Sequence, residues 1–370
     1  MAKYKLGDIA PIRQGVGPDK FPCWLLNLDM VESNTGRIIE YLHVPSDEIG
    51  ASTVSFDTRN VLYSKLRPYL NKVVLPELPG FATSEMLPLM PDTTIITREY
   101  LTHFLRSPRF VGYINEKTSG AKMPRANTAD LKAIEIDCPS IEQQNAIVGV
   151  FEHLTRIIEL RQRQLCTLDL LIKARFVEMF RDVKQEDTLL NLCNIIDYRG
   201  KTPEKAEDGL PFITAKNVRM HQLSIEPREY ISKETYDSVM TRGFPSEGDV
   251  VFTTEAPLGN VCRLPHFDTE FYVGQRIVTL QTDKLVPAYL EYALDTDEFR
   301  GKVESKSSGS TVTGIRVRLL EQLTIPVPNR ALQDKFASFV SQVDKSKAVV
   351  QEALDKAQLL FDSLMQQYFG

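Results

Sequence analysis

The chain repeats itself at an offset of 189 residues, and this duplication limits what it can fold into. Sliding the sequence along itself by the distance from Val61 to Val250 aligns identical residues over nearly the whole of each copy. The aligned identities include Pro68 with Pro257, Asn71 with Asn260, Tyr100 with Tyr289, Leu105 with Leu294, Phe110 with Phe299 and Pro139 with Pro328. Because one constant offset relates matches so far apart, the chain is predicted to contain two copies of one structural unit.

Each copy consists of two parts with different sequence patterns. The first part mixes short β-type runs, glycine and proline punctuation and a helix, near 97–116 in the first copy and 286–304 in the second. This pattern predicts a mixed α/β domain of the α+β class. The second part is almost free of proline and glycine and predicts one long helix. The predicted domains are 1–140 and 188–329 for the globular parts, and 141–187 and 330–370 for the long helices.

The two long helices begin at predicted N-caps and carry an apolar seam. Ser140 and Gln143 have the spacing of a capping box, and Asn329 matches Ser140 in the second copy. Apolar residues then recur at steps of three and four, which places them along one helix face. The seam positions are Ile147, Phe151, Leu154, Ile158, Arg161, Leu165, Leu168, Ile172, Arg175 and Met179 in the first helix, and Phe336, Val340, Val343, Lys347, Val350, Leu354, Ala357, Phe361, Leu364 and Tyr368 in the second.

This seam predicts that the two helices, each roughly 60 Å long at 1.5 Å per residue, pack together as an antiparallel coiled coil. The alternative is that each helix lies separately on its own domain. If each globular domain enters the major groove from the same side of a duplex, their centres lie roughly 34 to 36 Å apart, which helices of this length accommodate. Since the two domains differ in sequence, the predicted target is a bipartite, asymmetric DNA site.

Composition and charge narrow the functional classes. With 370 residues, 42% hydrophobic and 25% charged, the chain is predicted to fold into two or three domains. The sequence shows no membrane span, no signal-peptide core and five scattered cysteines, so we expect a soluble cytoplasmic protein that contacts no membrane. Residues 1–140 carry 16 basic and 16 acidic side chains, and 188–329 carry 16 and 20. DNA contacts must therefore come from local patches or be shared with a partner.

The sequence contains no recognisable catalytic or metal-binding motif. Its five histidines are isolated, without a His-Glu-x-x-His pattern or a Cys/His cluster at ligand spacing. Gly200-Lys201-Thr202 ends like a phosphate loop, but the glycine required five residues earlier is Ile195. We therefore predict no catalytic residue, no metal ligand and no cofactor on this chain. Two alternatives stay open: a single-chain DNA-modifying enzyme with a loosely patterned carboxylate site, and a coiled-coil scaffold without DNA specificity.

These features resemble the specificity subunit of type I restriction-modification enzymes, in which two target-recognition domains alternate with two long helices. The resemblance covers nearly the whole chain. It rests on Pro139-Ser140-Ile141-Glu142-Gln143-Gln144 with Ile147-Val148, on Val61 to Leu70, on Gly248 to Gly259 and on Ser363 to Phe369. One departure is that Ala331-Leu332-Gln333 stands where the first helix has Glu142-Gln143-Gln144, which leaves open whether both helix starts make the same contacts.

The resemblance implies a non-catalytic subunit with several partners. Such a subunit recruits two adenine-N6 methyltransferase subunits, and then two restriction subunits, to a bipartite site on double-stranded DNA. S-adenosylmethionine, Mg2+ and ATP would be bound by those partners and not by this chain. The methyltransferase subunits would also supply part of the phosphate contacts, which would compensate for the lack of excess Lys and Arg on this chain.

Candidate DNA contacts are polar or basic residues at turn-like positions in the two domains. Arginine is the commonest reader of guanine and Asn or Gln of adenine, while Lys, Ser, Thr and Tyr more often contact the backbone. The candidates are Lys65, Arg67, Tyr69, Lys122 and Arg125 in the first domain, and Arg199, Lys201, Thr202, Lys216, Asn217, Thr254 and Glu255 in the second. We expect this set to contain several real contacts.

Overall fold

The computed structural model describes residues 2–118, 120, 122–309 and 313–370, which form two compact units. Unit 1 contains Met1–Arg163 and Gln351–Gly370, and unit 2 contains Gln164–Val350. In chain order, the elements up to the first long helix are β1 (Ala2–Lys5), α1 (Leu6–Ile9), β2 (Cys23–Leu26), β3 (Leu42–Val44), β4 (Thr53–Phe56), β5 (Val61–Ser64), β6 (Val73–Val74), β7 (Gly80–Thr83), β8 (Met86–Leu89), α2 (Arg98–Arg106), α3 (Pro108–Glu116), α4 (Thr128–Ala133), β9 (Glu135–Cys138) and α5 (Ile141–Phe180). The elements that follow are β10 (Glu186–Thr188), α6 (Leu189–Leu192), β11 (Asn194–Asp197), β12 (Leu210–Ile213), β13 (Val218–Arg219), β14 (Gln222–Leu223), β15 (Tyr230–Ile231), α7 (Lys233–Val239), β16 (Val250–Thr253), β17 (Val261–Arg263), β18 (Tyr272–Val273), β19 (Ile277–Gln281), α8 (Pro287–Ala293), α9 (Asp297–Lys306), α10 (Val317–Leu320), β20 (Thr324–Pro326) and α11 (Arg330–Phe369).

Each unit is built around a small antiparallel sheet. In unit 1, β5 pairs with β6 and β8; in unit 2, β16 pairs with β17 and β19, and β11 extends the sheet beyond β19. A second sheet in each unit contains one parallel pair, β2 with β7 and β12 with β18. A further antiparallel pair, β1 with β9 or β10 with β20, joins the two ends of each domain. The predicted mixed α/β architecture is confirmed for both units.

Side chains on the central strands alternate between two cores. In β5, Val61 and Tyr63 pack with the helices of unit 1, whereas Leu62 packs in a second cluster around Trp24. The side chains of β16 alternate between two clusters in the same way. Because successive side chains of a strand point to opposite faces, a strand covered on both faces must be apolar throughout. This explains why β5 and β16 are continuous apolar runs, which are the segments in which the duplication is easiest to recognise.

The single helix predicted in each recognition domain is divided in two. Ser107 separates α2 from α3, and a short connection ending at Thr296 separates α8 from α9. The hydroxyls of Ser107 and Thr296 cap α3 and α9, each accepting a hydrogen bond of 3.2 Å from a backbone N–H. A hydroxyl at the N-cap stabilises the start of a new helix, and a proline disfavours helical backbone at the residue before it, as Pro108 does for Ser107. The prediction of one continuous helix is wrong in both copies.

The long helices begin at the predicted caps. The backbone N–H of Ser140 donates to Gln143 Oε1 at 3.2 Å, and the backbone N–H of Gln143 donates to Ser140 Oγ at 3.3 Å. In the second copy, Asn329 Oδ1 accepts a hydrogen bond of 2.9 Å from the backbone N–H of Leu332. Both predicted N-caps are confirmed.

A buried glutamine ties the start of each long helix to its own domain. Gln144 Oε1 accepts from the backbone N–H of Thr97 at 2.8 Å, and its Nε2 donates to two carbonyls at 2.8 and 3.0 Å. Gln333 accepts from the backbone N–H of Val286 at 2.8 Å and donates to the carbonyl of Pro328 at 2.8 Å. These positions are equivalent at the 189-residue offset. The sequence difference just before Gln333 therefore leaves the buried contact unchanged.

Within each unit, the start of one long helix lies on the end of the other. In unit 1, Phe151 of α5 is fully buried and its ring lies 5.2 Å from that of Phe361 of α11. In unit 2, the buried ring of Phe336 of α11 lies 5.3 Å from that of Phe176 of α5. Aromatic rings at these distances bury large apolar areas and favour tilted or edge-on contact. Helix packing therefore contributes to the core of both units.

The residues at the predicted heptad positions are mostly buried or partly buried. Every heptad position on α5 is buried or partly buried, and so is every one on α11 except Tyr368. Tyr368 is 38% exposed, while its neighbours Met365 and Phe369 are buried. An α-helix has 3.6 residues per turn and not 3.5, so a strict heptad face drifts by about 20° per heptad. The last packed position on α11 has accordingly moved to Phe369.

The first long helix is shorter than predicted. It ends at Phe180, whereas the predicted segment runs to 187. Residues Glu186–Thr188 form β10 instead and pair antiparallel with β20. Their backbone groups are satisfied by the neighbouring strand, which competes with continuation of the helix.

Candidate nucleic-acid interface

Three backbone segments meet beyond the end of β5 in unit 1. The N–H of Lys65 donates to the carbonyl of Glu85 at 2.9 Å, and the carbonyl of Lys65 accepts from the N–H of Ala126 at 2.8 Å. We call residues 65–67, 85 and 124–126 the loop frame of unit 1. It brings Arg125 next to two other candidate residues, Lys65 and Arg67, from which it is far apart in sequence.

The side chains on this loop frame form an ion cluster centred on Glu85. Arg125 donates to Glu85 from Nη2 at 3.0 Å and from Nε at 3.2 Å, and Lys65 Nζ lies 3.9 Å from the same carboxylate. The hydrogen bond to Glu85 raises the pKa of Arg125 above its ordinary value. Two cations share one carboxylate, which leaves a locally positive site suited to DNA.

The turn that follows Lys65 has a strained backbone. Arg67 has φ of +49°, in the left-handed region that non-glycine residues rarely adopt. Its N–H donates to the carbonyl of Pro124 at 2.8 Å, which holds the turn against the loop frame. The turn continues into a short 3-10 helix on which Tyr69 is exposed, and Lys122 is exposed as well. Strain of this kind, when observed, marks a segment as a candidate functional site.

Unit 2 has the same loop frame. The N–H of Thr254 donates to the carbonyl of Arg276 at 2.9 Å, and the carbonyl of Thr254 accepts from the N–H of Ile315 at 2.9 Å. Ala256, which aligns with Arg67, also has left-handed backbone, with φ of +43°. The loop frame of unit 2 consists of residues 254–256, 276 and 313–315. The two copies therefore share one backbone arrangement at this site.

The side chains on the two loop frames differ. In place of Lys65, Glu85 and Arg125, unit 2 has Thr254, Arg276 and Gly314. The ion pair is reversed, because Arg276 now stands on the segment that carried the carboxylate and its Nε lies 3.5 Å from Glu255 Oε1. Arg199 reaches this loop frame from outside, donating from Nη2 to Thr254 Oγ1 at 3.0 Å.

Two candidates of unit 2 are buried, which corrects their prediction as DNA contacts. Thr254 is 1% exposed and Asn217 is 2% exposed. Asn217 Oδ1 accepts from the backbone N–H and the hydroxyl of Thr214 at 2.9 and 2.8 Å, and its Nδ2 donates to the carbonyls of Ser224 and Pro227 at 3.1 and 3.0 Å. Polar residues at turns often bond the local backbone in this way. Both side chains build the turns and do not face a ligand.

The other candidates of unit 2 are exposed or partly exposed. Lys216 and Thr202 are exposed and Lys201 is partly exposed. Arg242, which the sequence did not indicate, donates to the carbonyl of Arg199 at 3.1 Å. It thereby holds the turn that presents Arg199 and Lys201.

Two residues of the loop frames were missed by sequence reasoning. Glu85 and Arg276 lie 20 and 22 residues beyond the loop residues that they contact, Lys65 and Thr254. Their equivalence follows an offset of 191 residues and not 189, because the second copy has two additional residues in this stretch. The sequence signal for this equivalence is the apolar run of β8 and of β19, which can be aligned with each other if the offset is allowed to vary.

Unit 2 also contains a buried ionic network around His221. The two ring nitrogens of His221 lie 3.0 Å from carboxylate oxygens of Glu291 and Asp295. Lys173 of α5 and Arg300 of α9 pair with Asp295 at 2.7 and 2.6 Å. Burial alone would lower the pKa of His221, but the hydrogen bonds to Asp295 and Glu291 outweigh it and raise that pKa. The network joins a long helix to the recognition part of unit 2.

The residues that the structure describes were also compared with the requirements of a metal site, a membrane-spanning helix and a reactive thiol. Among these residues, no group of three or more His, Cys, Asp or Glu side chains could hold a metal ion. Over the same residues, no helix is both long and apolar enough to cross a membrane. Burial raises the pKa of the thiols of Cys193 and Cys262 to about 12, so both are poor nucleophiles at neutral pH.

One family model matches the chain twice. It describes the type I restriction modification DNA specificity domain, and the matches cover residues 53–169 and 184–357. The two matches follow the two copies of the internal repeat.

Two curated relatives are similar in sequence. The type I restriction enzyme EcoDI specificity subunit of Escherichia coli is 27% identical over 134 residues, which is 36% of this chain and 30% of the relative. The type I restriction enzyme MjaVIII specificity subunit of Methanocaldococcus jannaschii is 20% identical over 311 residues, which is 75% of this chain and 71% of the relative. The chain thus spans less than a third of the first relative and more than two thirds of the second.

Two solved structures have a similar fold. One comes from work on complex assembly and conformational transition of the type I R-M system; it has a TM-score of 0.63 and 20% identity, covering 100% of this chain and 97% of that one. The other is the type I restriction-modification system S subunit from M. genitalium, with a TM-score of 0.59 and 14% identity, covering 100% of this chain and 96% of that one. At these identities the likeness supports the fold.

Proposed function

Because the chain belongs to the family of type I restriction modification DNA specificity domains, as a non-catalytic specificity subunit, we propose that its two units each read one half of a bipartite, asymmetric DNA target. The observation that carries this proposal is the loop frame that both units share while their side chains differ. A common backbone presents side chains in one geometry, and the side chains select the bases. Two readers with different side chains then recognise two different half-sites.

The charge distribution favours local DNA contacts that a partner completes. The overall net charge is -5, so the chain as a whole does not attract phosphates. The excess positive charge around Glu85 and the exposed lysines of unit 2 offer local sites. A partner that supplies further Lys and Arg contacts would provide the salt-dependent part of the affinity.

We assign the spacer role to the two long helices, packed as an antiparallel coiled coil. Their contacts within each unit, with the start of one helix on the end of the other, support this pairing. The length of the coiled coil would set the number of unread base pairs between the half-sites.

The outer faces of the long helices suit protein partners. Apolar side chains exposed on these helices include Leu160, Leu170, Val177, Val349 and Leu359. Single exposed apolar residues are common, but several on the same pair of helices favour a docking surface. We propose that two methyltransferase subunits dock on these helices and that two restriction subunits follow. S-adenosylmethionine, Mg2+ and ATP would be bound by those subunits.

Mapping of methylated adenines tests the function. The full-length chain would be co-expressed with the methyltransferase subunit of its system in a host without adenine methylation, and the methylated positions mapped by single-molecule sequencing. We expect one motif made of two different short half-sites separated by a spacer of constant length.

Other results would favour other functions. A continuous palindrome would contradict reading by two different units. Binding to the methyltransferase without any defined motif would favour a scaffold. Cleavage or methylation of DNA by the chain alone, abolished by one carboxylate or aromatic substitution, would show a DNA-modifying enzyme.

A further inference from the structure

The loop frame of unit 2 carries an exposed arginine, Arg276, that is not among the candidates indicated by the sequence. Its first residue, Thr254, is buried, and Gly314 stands where unit 1 has Arg125. Arg276 is the guanidinium that the segment before β19 brings to this loop frame, and its side chain is 53% exposed. It is therefore placed to contact a ligand that Thr254 cannot reach.

Both loop frames place a carboxylate beside Nε of a guanidinium. In unit 1, Arg125 donates to Glu85 from Nε and Nη2, and in unit 2, Arg276 Nε forms a longer ion pair of 3.5 Å with Glu255 Oε1. A guanidinium has two edges that donate in parallel, one formed by Nε and one Nη and one formed by both Nη atoms. When a carboxylate occupies the first edge, the second still points away from it. That edge has the fork geometry that pairs with O6 and N7 of guanine.

We infer that Arg125 and Arg276 are the guanine-reading residues of their units, and that Glu85 and Glu255 are positioning residues that hold the two guanidinium groups. This inference rests on the proposed function and names one base that each unit reads. Each half-site then contains a G·C pair read by one arginine. The two half-sites differ elsewhere because the other side chains of the loop frames differ.

The exchange of partners between the copies supports this assignment. In unit 1, the arginine stands on the turn before α4 and the carboxylate on the segment before β8. In unit 2, the arginine stands on the segment before β19 and the carboxylate on the loop after β16. The guanidinium-carboxylate pair is thus present on both loop frames although no residue of the pair is retained in place.

The test compares the DNA motif of the wild-type chain with that of Arg276→Ala and Arg125→Ala. Each full-length variant is co-expressed with the methyltransferase subunit, and the methylated sites are sequenced. We expect each variant to lose its preference for one G·C pair, by roughly tenfold to a hundredfold, in one half-site only. Arg276→Ala and Arg125→Ala should affect different half-sites, and the remaining positions of the affected half-site should stay unchanged, which shows that the substituted unit is folded.

Two further variants make the result specific. Arg276→Lys keeps the charge without the fork, so binding should persist while the preference for guanine is weakened. Arg228→Ala is a matched control, because Arg228 is also in unit 2, is similarly exposed and pairs with Glu226 at 3.0 Å, but lies outside the loop frame. It should leave the motif unchanged.

The possible failures are distinguishable. A wild-type chain that directs methylation to no bipartite motif would overturn the proposed function and this inference with it. A wild-type motif that Arg276→Ala or Arg276→Lys reproduces at every position would overturn the inference alone.

Discussion

Polar residues of the loop frames and nearby turns divide into those that build the turns and those whose side chains remain exposed. Asn217 uses its amide group on the backbone of the local turn and on the Thr214 hydroxyl, whereas the side chains of Arg125 and Arg276 each pair with a carboxylate and are 47% and 53% exposed. Asparagine and threonine serve both purposes in proteins, so residue type alone does not separate the two groups. Burial does.

His221 illustrates a residue whose role is decided by its neighbours. Its imidazole lies between Glu291 and Asp295, and Lys173 and Arg300 also face Asp295. Although burial opposes ionisation of Asp295, hydrogen bonds from His221, Lys173 and Arg300 hold the pKa of this carboxyl well below its ordinary value. Charged histidine is therefore the favoured partner of the two carboxylates.

We predict that His221 makes the stability of the protein depend on pH. Its pKa is higher in the folded state than in the unfolded chain, where it is near 6.5. Its contribution is therefore complete below that value and is lost as pH rises through the folded-state pKa. His221→Asn should reduce the free energy of unfolding by about 2 to 3 kcal/mol at pH 5.5, and by less at higher pH.

Urea denaturation of the full-length protein across this pH range would measure the effect. Asparagine is a suitable replacement because His221 has φ of +58°, which asparagine tolerates. His153→Asn, at an exposed position on α5, is the control and should follow the wild-type profile. Parallel pH profiles for the wild-type chain and His221→Asn would contradict the prediction.

At the scale of elements, the start and the end of a long helix are determined by different interactions. Their starts are fixed by capping groups that the sequence displays. The end of α5 depends on the pairing of β10 with β20, a strand that lies far along the chain. The boundary between α2 and α3 lies between these two cases. Ser107 and Pro108 are local signals for it, but they compete with a strongly helical sequence pattern.

We predict that the buried glutamines are the strongest links between the long helices and their domains. In Gln144→Leu, the backbone N–H of Thr97 and the carbonyl of Ile95 would lose their partner inside the protein. Each unpaired buried group costs about 1 to 3 kcal/mol, so unit 1 should be destabilised by roughly 2 to 4 kcal/mol. Hydrogen exchange of the Thr97 amide would measure the local effect.

Gln143→Leu provides the matched control for this prediction. Gln143 precedes Gln144, is exposed and takes part only in the capping box. Its substitution should cost about 1 kcal/mol or less. Equal losses in the two variants would show that the buried hydrogen bonds of Gln144 do not have the importance given to them.

At the scale of the whole molecule, duplication separates a shared framework from two independent sets of side chains. Equivalent residues make equivalent contacts in both copies, as Gln144 and Gln333 do, and as Tyr100 and Tyr289 do when their hydroxyls donate to the carbonyls at the equivalent positions 137 and 326. The loop frames therefore differ in their side chains while the backbone contacts of the two copies remain the same.

We predict that the long helices determine the spacer of the DNA target. Deleting one heptad from each helix removes about 10 Å, which corresponds to roughly three base pairs. The methylated motif should then have a shorter spacer and unchanged half-sites. Deletion of a heptad from only one helix is the control, since it breaks the register of the pair and should abolish the motif. Altered half-sites after the paired deletion would contradict the spacer role.

The sequence by itself determined the duplication, the mixed α/β class, the caps of the long helices and the apolar seam, because these depend on residue periodicity and on groups close together in the chain. Only the tertiary structure decided which polar residues are buried, where α5 ends and which residues meet on the loop frames. Thr254 meets Arg276 and Ile315 through backbone hydrogen bonds between segments distant in sequence, and such contacts leave no local pattern. For the same reason the sequence indicated Thr254, which is buried, and passed over Arg276, which is exposed.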